Sequence, residues 1–383
     1  MNLSKPSAMP DPRPARFVTH PVFRRPGFGK HHPLSGDRQG AVIRLCEALG
    51  WLDASNTAIA PLAERGTLER FHTPPYLDAL QAAAAGMSAT PEVRARYNLG
   101  TMECPLFDGL MQRARASVGG SILAAELALE GVVAFHPGGG THHGRPDRAS
   151  GFCYLNDPVF AILTLLDAGL GRVLYVDLDA HHGDGVELAF AGDPRVFLVS
   201  IHETGRWPGT GTRAGRIGDR ILNIPVPRGF TDSELGLLVA AVLLPHASRT
   251  APEAMVVALG ADGLAGDPLS AMQLSNTALW QATEAVLAAV PRGVVLGGGG
   301  YNPWTTARLW AGQWGRLAQR PLPALLPPAA SDVLAALRSD LVDDEDISPA
   351  WLDRLADPIS ETPARAELVA LAEQCGGRQP CGV

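Results

Sequence analysis

Cysteine is scarce in this chain and never paired at short range. The 383 residues include five cysteines, an odd number, and no two of them form a CxxC motif. They are Cys46, Cys104, Cys153, Cys375 and Cys381. Neither a disulfide framework nor a zinc site built from cysteine is therefore indicated.

Long apolar runs and an excess of positive charge are also missing. Residues 1–15 lack the apolar core of a signal peptide, and no apolar run reaches the length of a transmembrane helix. The formal net charge of −7 argues against general affinity for nucleic acid. We therefore expect a cytoplasmic protein without a membrane or nucleic-acid partner, while the sequence leaves the oligomeric state open.

The composition suits one large globular domain. Hydrophobic residues make up 46% of the chain, and 42 glycines are typical of a fold with many tight turns between strands and helices. Residues 1–15 are rich in Pro and Ser and are expected to form a poorly ordered tail. Residues 16–318 are the expected main domain. We expect residues 319–383 to form a peripheral region that packs on that domain or extends it.

Apolar segments of strand length alternate with helical patterns along the chain. Strands are predicted at 132–135, 173–176, 196–201, 222–226, 254–259 and 293–296. Helices are predicted at 37–51, 110–130, 154–168, 232–244 and 274–290. This alternation is typical of an α/β fold, in which a mainly parallel sheet carries helices on both faces.

Polar residues recur where four of these strands end. The segments concerned are 136–143 (HPGGGTHH), 175–185 (YVDLDAHHGDG), 260–263 (GADG) and 297–301 (GGGGY). Open α/β sheets bind their ligands at the carboxyl ends of the strands. We therefore expect the four segments to meet at one site.

Segment 175–185 has the composition of a metal site. Side chains alternate along a strand, so Asp177, Asp179 and His181 are expected to point the same way from its end. One acid alone would be read as a turn former, and Asp262 alone as a helix N-cap. The density of ligand types favours a divalent ion held by Asp179, His181 and Asp262, with room for water and substrate, as catalytic zinc requires.

A histidine pair is the second candidate. His142 and His143 could be surface residues of a Gly-rich loop or metal ligands themselves. Asp177 and Asp184 remain after the metal ligands are assigned, and each could accept a ring N–H from one histidine. Tyr301 follows four glycines, so its hydroxyl could reach a developing oxyanion; otherwise it is a packed loop residue.

Six segments, in this order, resemble the motif set of zinc-dependent histone deacetylases and their bacterial relatives, the acetoin-utilisation proteins and acetylpolyamine amidohydrolases. They are 136–143, 149–157 (ASGFCYLND), 175–185, 208–211 (PGTG), 260–267 (GADGLAGD) and 297–301. Six motifs in one order are far more specific than a lone Gly-rich loop. The resemblance covers about 17–314. It implies the arginase-deacetylase fold, a three-layer α/β/α domain, and a deacetylase catalytic domain over 16–318.

The resemblance also implies a role for each candidate residue. The implied catalytic residues are His142, His143, Asp177, Asp184 and Tyr301, beside a zinc ion held by Asp179, His181 and Asp262. Tyr301 would polarise the scissile carbonyl. We expect His143 to act as general base and then general acid, with His142 mainly electrostatic, because one base suffices.

A narrow acyl-lysine tunnel is implied as well. Phe152 and Trp207 match its aromatic walls, Gly151 its floor and Leu269 its rim. Trp207 departs from the phenylalanine that is most common there. Glu103 falls near the acidic rim position that holds the substrate backbone in relatives, where the acid is Asp.

The resemblance further implies a structural potassium ion. Its ligands would be mainly backbone carbonyls, which suit a hard monovalent ion better than zinc. The matching residues are Asp177, Asp179, His181, Ser200 and Ile201.

The reaction implied is removal of acetyl, or another short acyl group, from the amine of acyl-lysine side chains. An acetylpolyamine amidohydrolase is the alternative within the family. An arginase-like ureohydrolase would need further metal-binding Asp residues for two manganese ions. A non-enzymatic module that only recognises acyl groups would not need Tyr301, both histidines and all three ligands together.

Overall fold

The computed structural model describes residues 13–29, 32–218 and 220–376. Within them lie strands β1 (Ala15–Thr19), β2 (Thr57–Ile59), β3 (Val133–His136), β4 (Val173–Asp177), β5 (Val196–Glu203), β6 (Gly215–Ile217), β7 (Ile221–Val226), β8 (Ala254–Ala258) and β9 (Gly293–Leu296). They form one sheet in the order β2-β1-β3-β9-β8-β4-β5-β7-β6. All neighbouring strands pair in parallel except β6, which is antiparallel to β7. The sheet is flanked by helices, as expected for this fold class.

The α-helices are α1 (Gln39–Ala48), α2 (Arg65–Leu68), α3 (Pro74–Gly86), α4 (Pro91–Tyr97), α5 (Leu110–Leu129), α6 (Asp157–Asp167), α7 (Asp184–Phe190), α8 (Asp232–Leu238), α9 (Leu244–Thr250), α10 (Asn276–Leu287), α11 (Pro303–Leu317), α12 (Pro328–Ala335), α13 (Pro349–Asp353) and α14 (Ala366–Gly376). Short 3₁₀ turns lie at Pro21–Arg24 and Asp344–Asp346. A search of the described residues finds no helix that combines the length and the apolar character needed to cross a membrane.

The six strands predicted from the sequence correspond to β3, β4, β5, β7, β8 and β9, with ends that differ by at most two residues. Alternate residues of β4 pack on opposite faces: Leu174 and Val176 join one hydrophobic cluster, and Val173 and Tyr175 join the other. This two-sided burial explains why the strand reads as a continuous apolar run.

The sequence patterns missed β1, β2 and β6. Each has only three to five residues, and β2 and β6 lie at the edges of the sheet. Such short segments carry too few alternations to give a periodic signal. Ala15, placed in the expected tail, is the first residue of β1, while residues 1–12 lie outside the described part of the chain.

The predicted helix 232–244 continues further than its pattern suggested. A π-helical turn, Val239–Leu243, joins α8 to α9, so the helical segment reaches Thr250. Pro245 lies in the first turn of α9 and cannot donate a backbone hydrogen bond. The wider π turn accommodates that missing bond, so the helical segment extends six residues beyond the predicted end at 244.

The segment after α11 packs against the rest of the domain. Asp357 forms an ion pair at 2.6 Å with Arg308 of α11, and the side chain of Arg308 is fully buried. Arg365 forms a second ion pair at 2.6 Å with Glu234 of α8. Leu368 and Cys375 of α14 are buried in the larger hydrophobic cluster. Trp351 of the same segment lies beside Gly266 in the loop after β8, where a Cβ atom would be 3.0 Å from its ring.

Candidate active site and metal centre

Four neighbouring strands carry the site at their carboxyl ends. β3, β9, β8 and β4 are adjacent in the sheet. The segments 136–143, 297–301, 260–263 and 175–185 follow these strands in the same spatial order. Parallel pairing fixes all four ends at one edge, so the loops project into a common space.

Asp179, His181 and Asp262 form a buried cluster with the geometry of a metal site. One potential ligand atom from each lies within 4.8 Å of the others. His181 Nδ1 is 2.8 Å from Asp262 Oδ2 and 3.2 Å from Asp179 Oδ1. The three donors therefore face one point, which is close enough to all of them for a single ion.

Glycine is required beside the two carboxylates. The backbone N–H of Gly299 donates to Asp179 Oδ2 at 2.6 Å. A Cβ atom at Gly299 would lie only 2.0 Å from Asp262 Oδ2. The glycine run therefore lets the main chain contact both acids directly, which a larger residue would prevent.

The charge of this cluster fits a divalent cation. Asp179 and Asp262 are both fully buried. Burial and the neighbouring Asp179 carboxylate raise the pKa of Asp262 to about 6. Two buried acids held together in this way need a compensating positive charge. One imidazole and two carboxylates are a donor set that zinc accepts at catalytic sites.

The two histidines of segment 136–143 each pair with a different acid. His142 Nδ1 donates to Asp177 Oδ2 at 2.7 Å, and His143 Nδ1 donates to Asp184 Oδ1 at 2.8 Å. The two rings lie side by side, with centroids 3.9 Å apart. His142 Nε2 is 3.7 Å from Asp179 Oδ1. The Nδ1–H bonds leave the Nε2 atoms available for chemistry.

The partners of the two histidines differ in charge. Among the described residues, the other donors to Asp177 are neutral: the Tyr175 hydroxyl at 2.7 Å and the Asp179 N–H at 3.1 Å. Asp184 is also bound by the guanidinium of Arg145. That cation partly neutralises the acid beside His143, whereas the acid beside His142 keeps its full charge.

The pKa values of the two histidines also differ. Burial opposes protonation of His142, but the Asp177 and Asp179 carboxylates outweigh it and raise its pKa to about 9. Burial and the adjacent His142 lower the pKa of His143 to about 3. At neutral pH the pair therefore combines one cationic imidazole with one neutral imidazole.

Tyr301 reaches the same space from the loop after β9. Its ring lies edge-on to His181, with centroids 6.2 Å apart. The Asp267 carboxylate accepts its backbone N–H at 2.7 Å and that of Leu269 at 2.9 Å. Burial and the nearby Asp262 carboxylate raise the pKa of Tyr301 well above its ordinary value. The hydroxyl therefore keeps its proton and can act as a donor.

Aromatic rings surround the approach to these groups. Phe152 packs edge-on against Tyr301, with centroids 5.9 Å apart, and against His32 at 4.7 Å. The Trp207 ring stands edge-on to His143 at 4.5 Å and is 44% exposed. A Cβ atom at Gly151 would lie 2.4 Å from the Trp207 ring. The glycine thus allows the indole to lie directly against the backbone.

The two rim candidates have different surroundings. The Glu103 carboxylate accepts the backbone N–H of Gly151 at 2.5 Å. Leu269 is partly buried and is anchored through its N–H to Asp267. A cavity of about 100 Å³ is lined by Phe152, Tyr301 and Arg38, but by neither Trp207 nor Leu269.

The residues suggested for potassium lie on two paired strands and the loop after the first. Asp177 at the end of β4 pairs in register with Ser200 of β5, and Ile201 follows. The Ser200 hydroxyl contacts His202 Nδ1 at 2.9 Å. Asp179 and His181 belong to the buried cluster described above.

Several supporting residues were not recognised from the sequence. They are His32, Arg38, Arg145, Asp157 and Asp267. Arg38 donates to the carbonyls of Gly298 and Gly300, both at 3.1 Å. Asp157 accepts the N–H groups of Gly140 and Thr141, at 2.9 and 2.7 Å. Asp157 and Asp267 lie in segments already singled out, so their acid character was a usable signal. Arg38 and His32 lie far along the chain from the residues that they contact, so no local sequence pattern indicates those contacts.

Comparison with known proteins supports one family. The family profile described as "Histone deacetylase domain" matches residues 32–317. "Histone deacetylase 8" from Xenopus tropicalis is 36% identical over 299 residues, which is 76% of this chain and 80% of that protein. "Acetoin utilization protein AcuC" from Bacillus subtilis is 32% identical, over 79% of this chain and 81% of that protein. The crystal structure of an HDAC homolog from Aquifex aeolicus has a TM-score of 0.89 at 32% identity, covering 95% of this chain and all of that one.

Proposed function

The chain belongs to the histone deacetylase family and is a deacetylase, and we propose that it removes acetyl or other short acyl groups from acyl-lysine side chains with the help of zinc. The observation that carries this proposal is a single buried space that combines three kinds of group. It holds the ligand cluster of Asp179, His181 and Asp262, two His–Asp pairs, and the hydroxyl-bearing residue Tyr301. In metal-assisted hydrolysis of an amide these groups activate the water, transfer the proton and stabilise the oxyanion.

Zinc, when bound by Asp179, His181 and Asp262, would act as a Lewis acid on the acyl oxygen and lower the pKa of a water molecule toward about 7. His143 is the neutral imidazole of the pair, so it can take a proton from the attacking water at Nε2. The same atom can return that proton to the departing amine. Asp184 holds the ring in the required tautomer through Nδ1.

His142 has a different task. Its positive charge, maintained by Asp177, lies beside the acid ligand Asp179. A fixed cation beside the ligand cluster would stabilise the negative charge that develops on the substrate during attack. The Tyr301 hydroxyl, protonated in this environment, donates a hydrogen bond to the same oxygen. Arg145 binds Asp184, the acid that holds the His143 ring.

The wall of the site favours a slim, apolar stem. Phe152 and Trp207 offer ring surfaces, and Leu269 is apolar. A lysine side chain presents four methylenes to such a wall. A polyamine would instead bring an internal ammonium group, which is costly to desolvate without an acid. The Oε1 atom of Glu103 is already engaged by Gly151. We also propose that Asp177, Asp179, His181, Ser200 and Ile201 hold potassium, mainly through backbone carbonyls.

Turnover of a substrate panel tests the proposed function. The zinc-loaded protein should be offered an acetyl-lysine peptide, peptides with longer acyl-lysines, and acetylated polyamines. We expect kcat/KM to be highest for a short acyl-lysine peptide. A higher value for an acetylated polyamine would replace acyl-lysine with the alternative substrate. Two manganese ions per chain, measured by elemental analysis of active protein, would instead point to a ureohydrolase.

Replacing Trp207 with alanine should separate substrate binding from chemistry. The indole contacts His143 and covers Gly151, so its loss removes stacking and desolvation of the stem. We expect KM for an acetyl-lysine peptide and the inhibition constant of octanohydroxamate to rise by about tenfold, with zinc retained. Trp207→Phe should retain most of the affinity. An equal loss for acetohydroxamate, which is too short to reach the wall, would place Trp207 at the metal or in folding.

A further inference from the structure

Glu103 occupies an unusual position for a residue expected only to hold substrate. Its Oε1 atom accepts the backbone N–H of Gly151 at 2.5 Å. Hydrogen bonds to an ionised acceptor are among the stronger ones in proteins. One face of the carboxylate is therefore directed into the protein, at the residue that precedes Phe152.

The backbone held by this bond is strained. Gly151 has φ of 54° and Phe152 has φ of 66°, so two consecutive residues adopt the left-handed conformation. For phenylalanine this conformation is unfavourable, and it persists only where surrounding contacts fix it. Ser150 and Cys153 close the turn with mutual backbone hydrogen bonds at 3.1 and 2.9 Å. The Gly151 N–H, inside the turn, is satisfied by Glu103.

Glu103 also supports Phe152 from its other side. The His32 Nδ1 atom accepts the Leu34 N–H at 3.0 Å, so its Nε2 carries the proton. Nε2 points at the backbone carbonyl of Glu103 at 3.4 Å. His32 in turn packs edge-on against Phe152. The side chain of Glu103 thus holds Gly151, and its main-chain carbonyl holds His32. These two residues lie on either side of Phe152.

The loop that carries Glu103 is itself anchored to the same turn. Asn98 donates to the carbonyl of Ala149 at 3.2 Å, and the Ala149 N–H donates to Tyr97 at 3.0 Å. Thr101 accepts the N–H of Cys104 at 3.0 Å. These bonds join segments 97–104 and 149–153. The backbone of Glu103 is therefore fixed relative to Gly151.

We propose that Glu103 is a positioning residue that sets the aromatic wall of the tunnel, in addition to any contact it makes with a substrate backbone. The inference rests on the proposed function only in treating this space as the acyl-amine tunnel. The two roles of Glu103 have different consequences. Loss of a contact to the substrate backbone affects only ligands that carry backbone amides. Loss of a positioning contact affects every ligand that fills the tunnel.

Binding of octanohydroxamate to the full-length zinc-loaded protein distinguishes these roles, because this ligand has a linear stem and no peptide backbone. In Glu103→Ala we expect its dissociation constant, measured by calorimetry, to rise about tenfold, as for loss of a hydrogen bond to a charged group. Acetohydroxamate, which reaches only the metal, should bind unchanged. Glu103→Gln, whose amide oxygen can still accept the Gly151 N–H, should recover most of the affinity.

Two controls keep the result specific. Glu92→Ala removes an exposed acid from α4, in the neighbouring segment, and should bind octanohydroxamate like the wild type. Amide hydrogen exchange at Gly151 should accelerate in Glu103→Ala but not in Glu92→Ala, a change that loss of a contact to substrate alone would not produce.

Unchanged octanohydroxamate affinity in Glu103→Ala, with lower activity on peptides alone, would overturn the inference. So would a wild-type protein that does not bind octanohydroxamate, since there would then be no tunnel to shape. Failure of the proposed function alone would give a different pattern. The wild type would bind octanohydroxamate, and Glu103→Ala would weaken it, but no acyl-lysine in the panel would be hydrolysed.

Discussion

His181→Ala should yield a folded protein that contains almost no zinc and hydrolyses acyl-lysine no faster than the uncatalysed background. His181 supplies the only nitrogen of a three-ligand cluster, and its Nδ1 lies between the two carboxylates. Removing it leaves Asp179 and Asp262 facing each other across an open space. Two ligands cannot retain the ion against dilution, and without zinc neither the water nor the acyl oxygen is activated. Asp179→Ala should behave in the same way.

Elemental analysis after dialysis and a turnover assay on the same sample provide the measurement. His246→Ala is a matched control, because it also removes a buried imidazole. His246 lies in α9 and packs on Phe197 near the start of β5. It is therefore near the amino ends of the strands, whereas the site lies at their carboxyl ends. The control should keep about one zinc per chain. Full zinc occupancy in His181→Ala would remove this cluster as the metal site.

Much of the fold could be predicted because its core strands are buried on both faces. β4, β8 and β9 appear in the sequence as short apolar runs bounded by glycine or acids, and their limits were close to those observed. The strands at the edges of the sheet gave no comparable signal. β6 has three residues and pairs on one side only. The π turn before Pro245 could not be predicted either, since proline usually ends a helix.

The site could be predicted where its residues sit directly after a strand. Asp179 and His181 follow β4, and Asp262 follows β8, so the rule for strand ends was enough to bring them together. The arrangement of strands in the sheet, which makes β4 and β8 neighbours, supplies the contact that the sequence only implied.

Residues that act through long-range contacts could not be found in this way. Arg145 binds Asp184, the acid partner of His143, across 39 positions in the chain. Glu103 reaches Gly151 across 48 positions. Neither contact follows from periodicity or spacing, because it depends on how two loops fold against each other. An arginine in a loop is usually solvated, and nothing in the sequence singles out Arg145. Glu103 was predicted as a rim acid that holds the substrate backbone, but its bond to Gly151 was not predicted.

Tyr301→Phe should lower kcat for an acetyl-lysine peptide by about 10²-fold or more, while zinc content and KM change little. The substitution removes one hydroxyl and keeps the ring that packs against Phe152 and His181. The Asp267 bond to the backbone N–H is independent of the side chain, so the loop should stay in place. The hydroxyl is protonated at neutral pH because burial and nearby acids raise its pKa. Its role is therefore to donate a hydrogen bond that strengthens as the acyl oxygen becomes negative.

The split between kcat and KM is the informative measurement for Tyr301→Phe. A donor that acts on developing charge stabilises the transition state more than the bound substrate, so its loss should appear almost entirely in kcat. Tyr76→Phe is a matched control: this hydroxyl bonds to the carbonyl of Tyr154 at 2.6 Å in the core, so its loss should affect stability and not catalysis. If Tyr301→Phe kept the wild-type kcat, zinc and His142 alone would have to stabilise the acyl oxygen. A rise in KM with unchanged kcat would instead make Tyr301 part of the tunnel wall, since uniform binding changes KM without accelerating the chemical step.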